Sequence, residues 1–77
     1  MPLYINIGFN HMISHDKIYA IVPVDGAVSR RNIAAAKDNL TLIDATHGRK
    51  TRSIIYTNHY LILSALQPDT ITARIEN

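Results

Sequence analysis

The sequence predicts a small α+β domain, mostly antiparallel strands with one helix over about residues 29–39 and a short C-terminal helix. Three observations carry this. Leu3, Ile5, Ile7 and Phe9 alternate with Tyr4, Asn6 and Gly8, the period of two expected of a half-buried strand. Ala34-Ala35-Ala36 sits inside a stretch of high helix propensity. Two apolar runs, Ser53–Tyr56 and Tyr60–Ala65, flank Thr57-Asn58-His59 and make a hairpin the economical arrangement. With 77 residues, 47% of them apolar, the chain makes one domain. A domain of this size buries only about 60% of the surface its unfolded chain exposes. Because the chain has no Cys, disulfides and thiolate zinc are excluded as supports, which leaves self-association.

The remaining elements follow in order. Asn10-His11 interrupts the first strand, Met12-Ile13-Ser14 makes a short return, and Ser14–Lys17 is a polar turn. Ile18–Val22 is apolar on both faces, which predicts a central strand or one covered by another subunit. Pro23-Val24-Asp25-Gly26 stops it with turn residues. Ser29 is placed as the helix N-cap, with Arg30 and Arg31 in the first turn, where the macrodipole disfavours cations and a bound anion would relieve the cost. Ile33 and Ala36 face the protein and Asn39 is the left-handed helix end. Leu40–Asp44 is a short strand, the last strand ends near Gln67 ahead of Pro68, and Asp69–Ile75 forms the short helix.

Between two apolar runs lies the most cationic stretch, Asp44-Ala45-Thr46-His47-Gly48-Arg49-Lys50-Thr51-Arg52, which gathers three of the eight basic residues into four positions. Arg presents a planar fork of donors, Gly lets a backbone come close, and hydroxyls can donate to an anion. These are the parts of a phosphate-contacting loop. The formal net charge is only +2, so a nucleic-acid site must come from clustering the cations or repeating them around an oligomer. The residues alone also fit a solvated turn in which Asp44 pairs an arginine. Arg30 and Arg31 fit a solvated helix face or secondary phosphate contacts, and His47 fits a phosphate contact or a turn cap.

Other classes find less in the sequence. His11 and His15 are four apart beside Asp16, but their surroundings read as strand and turn with no third ligand, so no metal and no cofactor is expected. An enzyme would rest on Asp44, Asp16 and the four histidines, with Arg49 or Arg52 clamping a phosphoester. No nucleophile motif, carboxylate pair or Gly-rich phosphate loop accompanies them, so neither catalysis nor a small-molecule substrate is expected. RNA binding is disfavoured because Phe9, Tyr4, Tyr19, Tyr56 and Tyr60 are not grouped with the cations as a stacking platform requires. A protein-interaction scaffold built on the two-faced strands stays open. No apolar run approaches a spanning helix and the start lacks a leader pattern, so a cytoplasmic protein without a membrane partner is expected.

Ile5-Asn6-Ile7-Gly8-Phe9, Lys17–Val22, Leu42–Arg52 and Ile62–Thr70 resemble, in one register over nearly the whole chain, the RemA-type extracellular matrix regulatory proteins. The resemblance implies a bacterial DNA-binding regulator, nucleoid-associated, that activates biofilm-matrix and osmoprotection genes. It also implies a closed homo-oligomeric ring that bends or wraps duplex DNA. The family's DNA-contacting arginines match the segment Gly48-Arg49-Lys50-Thr51-Arg52, with a further basic position at Lys17. Arg49 and Lys50 carry over as the principal phosphate contacts. The family usually has Tyr at His47, Arg at Lys50 and Lys17, and Gly-Asn at Asn10-His11. Lys keeps the charge at the matched sites but lacks the bidentate fork.

Overall fold

In the computed structural model, which describes residues 3–76, the order is β1 (Tyr4–Asn6), β2 (Met12–Ser14), a 3₁₀ turn (His15–Lys17), β3 (Ile18–Pro23), α1 (Gly26–Asp38), β4 (Leu42–Asp44), β5 (Ser53–Thr57), β6 (Leu61–Ser64) and α2 (Pro68–Glu76). The small α+β class is as expected. β1 and β2 form an antiparallel pair, and the other strands make one sheet in the order β3-β5-β6-β4, with only β4 and β6 parallel. The predicted β5–β6 hairpin and the Met12–Ser14 return strand are present.

Alternation along β5 and β6 explains the layering. Ile54, Leu61 and Leu63 face Ala36 and Ile33 of α1, whereas Ile55 and Ile62 face Ile5, Ile7, Ala45 and Ile71. Both faces of these strands are therefore covered, one by α1 and the other by β1–β2 and α2. Covering on both sides is what an apolar run without alternation requires. Among the described residues, ten apolar ones fall in the buried core, Ile54, Ile55 and Ile71 among those with no exposed surface.

Four local expectations are corrected. Of the two places predicted for Ile18–Val22, the central one is not found: β3 is an edge strand, Tyr19 is 72% exposed on it, and Ile21 and Val22 each pack against a different core cluster. Helix α1 starts at Gly26, with Asp25 and not Ser29 at the cap position. Ser29 lies one turn inside, buried, and its hydroxyl accepts from the Asp25 N–H at 2.9 Å. It serves the helix start by reaching back, as the inner member of a capping box does.

At the other end, Asn39 has φ −85° and the left-handed residue is Leu40 at +60°. The Thr41 and Leu40 N–H groups donate to the Ala36 and Lys37 carbonyls at 2.8 and 3.2 Å. This is a Schellman closure with leucine where glycine is usual. Finally, the first strand ends at Asn6 and the last at Ser64, both earlier than predicted. Gly8, Phe9 and Asn10 all take positive φ and so cannot continue a strand.

Candidate nucleic-acid interface

The cationic loop joins the ends of β4 and β5 and stands on a buried base. Ala45 and Thr46 are buried at its start and Ser53 at its end, while His47, Gly48, Arg49, Lys50 and Arg52 are exposed and Thr51 is half-buried. The Asp44 carboxylate accepts from the Thr46 N–H at 2.9 Å and from its hydroxyl at 2.6 Å. These bonds hold the Asp44 carboxyl below the usual carboxylate range, the hydroxyl contributing most. The carboxylate is thus engaged by the loop's own threonine, and the cations are left to face outward.

The Arg49 N–H then donates to the Thr46 carbonyl at 3.0 Å. The two central residues of this turn, His47 and Gly48, have φ +54° and +80°, the signs a type I′ turn demands. The Ala45 and Arg52 N–H groups donate to Leu63 and Ser64 carbonyls at 2.9 and 2.8 Å, tying both ends of the loop to β6. Such a loop presents its cations with little ordering left to do.

A second turn meets the first. The His11 N–H donates to the Gly8 carbonyl at 2.9 Å, and the central pair, Phe9 and Asn10, has φ +51° and +63°. This turn projects Phe9 against the loop: its ring stacks on His47 with centroids 4.7 Å apart, and the Arg49 guanidinium carbon lies 5.9 Å from its centroid. The His11 and His47 Nε2 atoms are 2.8 Å apart. Buried Ser64 fixes the approach, its hydroxyl donating to the Ile7 carbonyl at 2.7 Å and accepting from the Leu66 N–H at 3.1 Å.

The structure sorts the sequence-predicted residues into groups. Arg49, Lys50 and Arg52 line one hollow of about 430 Å³ with Phe9, and Lys50, Thr51 and Arg52 line another of about 280 Å³ beside Pro23 and Val24. Lys17 borders neither of these two; it lines a separate, mostly apolar hollow of about 430 Å³ with His11, Met12, Ile43 and Tyr60. Arg30 and Arg31 lie exposed on α1, in its second turn now that the helix starts at Gly26, so the macrodipole cost assigned to them falls away. No cluster of three or more metal-ligating side chains, with or without His11 and His15, occurs among the described residues.

Sequence reasoning missed Phe9 and His11. It also held that no aromatic accompanies the cations, whereas Phe9 sits directly against Arg49 and His47. The available signal was Gly8-Phe9-Asn10, since glycine and asparagine flanking one residue mark a turn better than a strand.

What fold and geometry define is a small α+β domain offering one preorganised, cation-bearing turn backed by an aromatic ring. Comparison with known proteins is in keeping with this. The family model described as "RemA-like: Extracellular matrix regulatory protein A-like" matches residues 4–75, and the chain belongs to that family. Similar relatives include a protein of Pseudothermotoga lettingae, 51% identical over 94% of this chain and 80% of its own length. Another, of Dictyoglomus turgidum, is 48% identical over 94% of this chain and 86% of its own length. A third, of Oceanobacillus iheyensis, is 44% identical over 92% and 84%. The first two carry the name "Putative regulatory protein" and the third "Putative regulatory protein OB1501". No helix among the described residues is long and apolar enough to cross a membrane.

Proposed function

We propose that this regulatory protein binds double-stranded DNA and acts on transcription as a homo-oligomeric, nucleoid-associated ring, activating extracellular-matrix, biofilm and osmoprotection genes. The observation that carries the reading is the outward-facing Arg49, Lys50 and Arg52 on a loop whose base is buried and hydrogen-bonded to β6. One such loop neutralises few phosphates. Repeated around a ring, later contacts become intramolecular, and affinity rises by about 10²–10⁴. Exposed Tyr4, Met12, Tyr19, Ile43 and Tyr60 favour subunit contacts, and without nucleic acid they would favour the second reading, an oligomeric scaffold. Binding through backbone phosphates needs no base-reading helix, and sequence preference then comes from how easily DNA bends.

The test is light scattering with and without a long AT-rich duplex at two salt concentrations, repeated for Arg49→Ala. The expected result is a multi-subunit particle that binds the duplex and releases it as salt rises, log affinity falling by about 0.9 per log salt for each phosphate neutralised. Arg49→Ala should keep the particle mass and weaken binding at least about a hundredfold, because the loss is repeated in every subunit. A multi-subunit particle indifferent to DNA would select the scaffold reading. Binding unchanged in Arg49→Ala would remove that residue from the site.

A further inference from the structure

His11 and His47 are 36 positions apart and meet Nε2 to Nε2 at 2.8 Å. The contact is maintained from both sides: His47 is stacked on Phe9, and each histidine sits on a turn closed by its own backbone hydrogen bond. A hydrogen bond between two Nε2 atoms needs one N–H and one lone pair. Two neutral rings satisfy it, and so does a pair sharing one added proton. Two imidazolium rings do not, because both nitrogens are then donors and the two charges repel.

The electrostatic surroundings are mixed. On the His47 side lie the Asp44 carboxylate and the Arg49 guanidinium, which shares the Phe9 ring. On the His11 side, Lys17 and His59 border the same hollow as His11. Arg49 and Lys17 are fixed cations, and the Asp44 carboxylate that stands against them is already engaged by Thr46. A row of duplex phosphates against the loop would supply the missing negative charge.

We infer that the His11–His47 pair makes DNA binding by this loop proton-linked, with His11 a positioning residue that acts through His47. Free protein keeps the hydrogen bond and at most one added proton. Phosphates draw in the second, the bond opens, and His47 joins Arg49 and Lys50 as a cation. By linkage, affinity then rises as pH falls, up to about tenfold per pH unit for each proton taken up. The inference rests on the DNA reading above and adds a control to it.

The experiment measures duplex affinity by fluorescence anisotropy at constant ionic strength from about pH 8 to about pH 5.5, the window in which histidine changes charge, for the full chain and for His11→Asn. Nitrogen NMR of the imidazoles in the free proteins accompanies it. The wild-type affinity should keep climbing below about pH 6.5, where an unpaired imidazole is already half charged, and the His11→Asn curve should level off there. In the free wild-type protein the nitrogen spectra should show the Nε2–H···Nε2 hydrogen bond between the two rings, and adding duplex at the acid end should abolish it. Superimposable pH profiles for the two proteins, or a His11–His47 hydrogen bond that survives in the duplex complex, would overturn the inference while leaving DNA binding intact. Absence of duplex binding at every pH would overturn the DNA reading and this inference together.

Discussion

The two turns that meet at the Phe9–His47 stack have the same backbone signs and opposite chemistry. The Thr46–Arg49 turn places glycine at one of its two positive-φ positions, whereas the Gly8–His11 turn puts Phe9 and Asn10 there and spends its glycine just before, at φ +116°. Left-handed backbone at a bulky residue costs on the order of 1–3 kcal/mol and persists only where the surroundings enforce it. Here Ser64, the Gly8–His11 bond and the stack on His47 enforce it. The cation-bearing turn, with one side chain and one glycine at positive φ, is thus the less strained partner, and the more strained one, with two side chains there, is the turn that backs it. A loop that has to meet an anion gains from such a division, because its own geometry stays low in energy while a neighbour holds the rings in place.

The glycines offer the sharpest way to break this contrast. Gly8→Ala puts an alanine at +116°, outside the left-handed basin, with its Cβ 3.5 Å from the Leu66 side chain; we expect a loss of about 3 kcal/mol in denaturant unfolding. Ser64→Ala comes next, at about 2 kcal/mol, because it strands the buried Ile7 carbonyl and Leu66 N–H together. Gly48→Ala sits at +80° with open space around the new Cβ and should cost about 1 kcal/mol. If Gly48→Ala proved the costliest of the three, the strain would lie in the cationic turn and the division described above would be wrong.

How much of this was legible depended on the range of the signal. The β5–β6 hairpin, the Met12–Ser14 strand and the short C-terminal helix were legible because period, turn residues and proline act within a few positions. The exposure of the Gly48–Arg52 cations followed from their number and neighbours. Errors arose where a local signal has two structural uses. Ser29 can cap from outside a helix or reach back from inside it, and Asn39 can be the left-handed residue or yield that place to Leu40, which at 88% exposure gains nothing from packing. The edge position of β3 depends on strand order, which no single stretch encodes. Least legible were Phe9 against His47 and His11 beside it, since contacts nearly forty positions apart leave no periodicity to read.

The smallest expected effect tests whether the cationic turn is held by a charge or only by a shape. Asp44 is largely exposed, and its carboxyl lies below the ordinary value of 3.8 chiefly because the Thr46 hydroxyl and then the Thr46 N–H donate to it. A depressed folded value means the stabilisation is present above the ordinary carboxylate range and fades as pH falls through the lower folded value. Asp44→Asn keeps an oxygen that can accept the same two bonds but removes the charge. Unfolding of both proteins by urea at about pH 6 should therefore show the wild type slightly more stable, and the difference should shrink as pH falls through the lowered folded value of Asp44. Asp16, also held low by the Ser14 hydroxyl, titrates in the same window in both proteins and cancels from the comparison. A difference that persists undiminished in acid would mean that Asp44 shapes the turn without its charge, so the low energy of the cation-bearing loop would rest on Gly48 and the type I′ backbone alone.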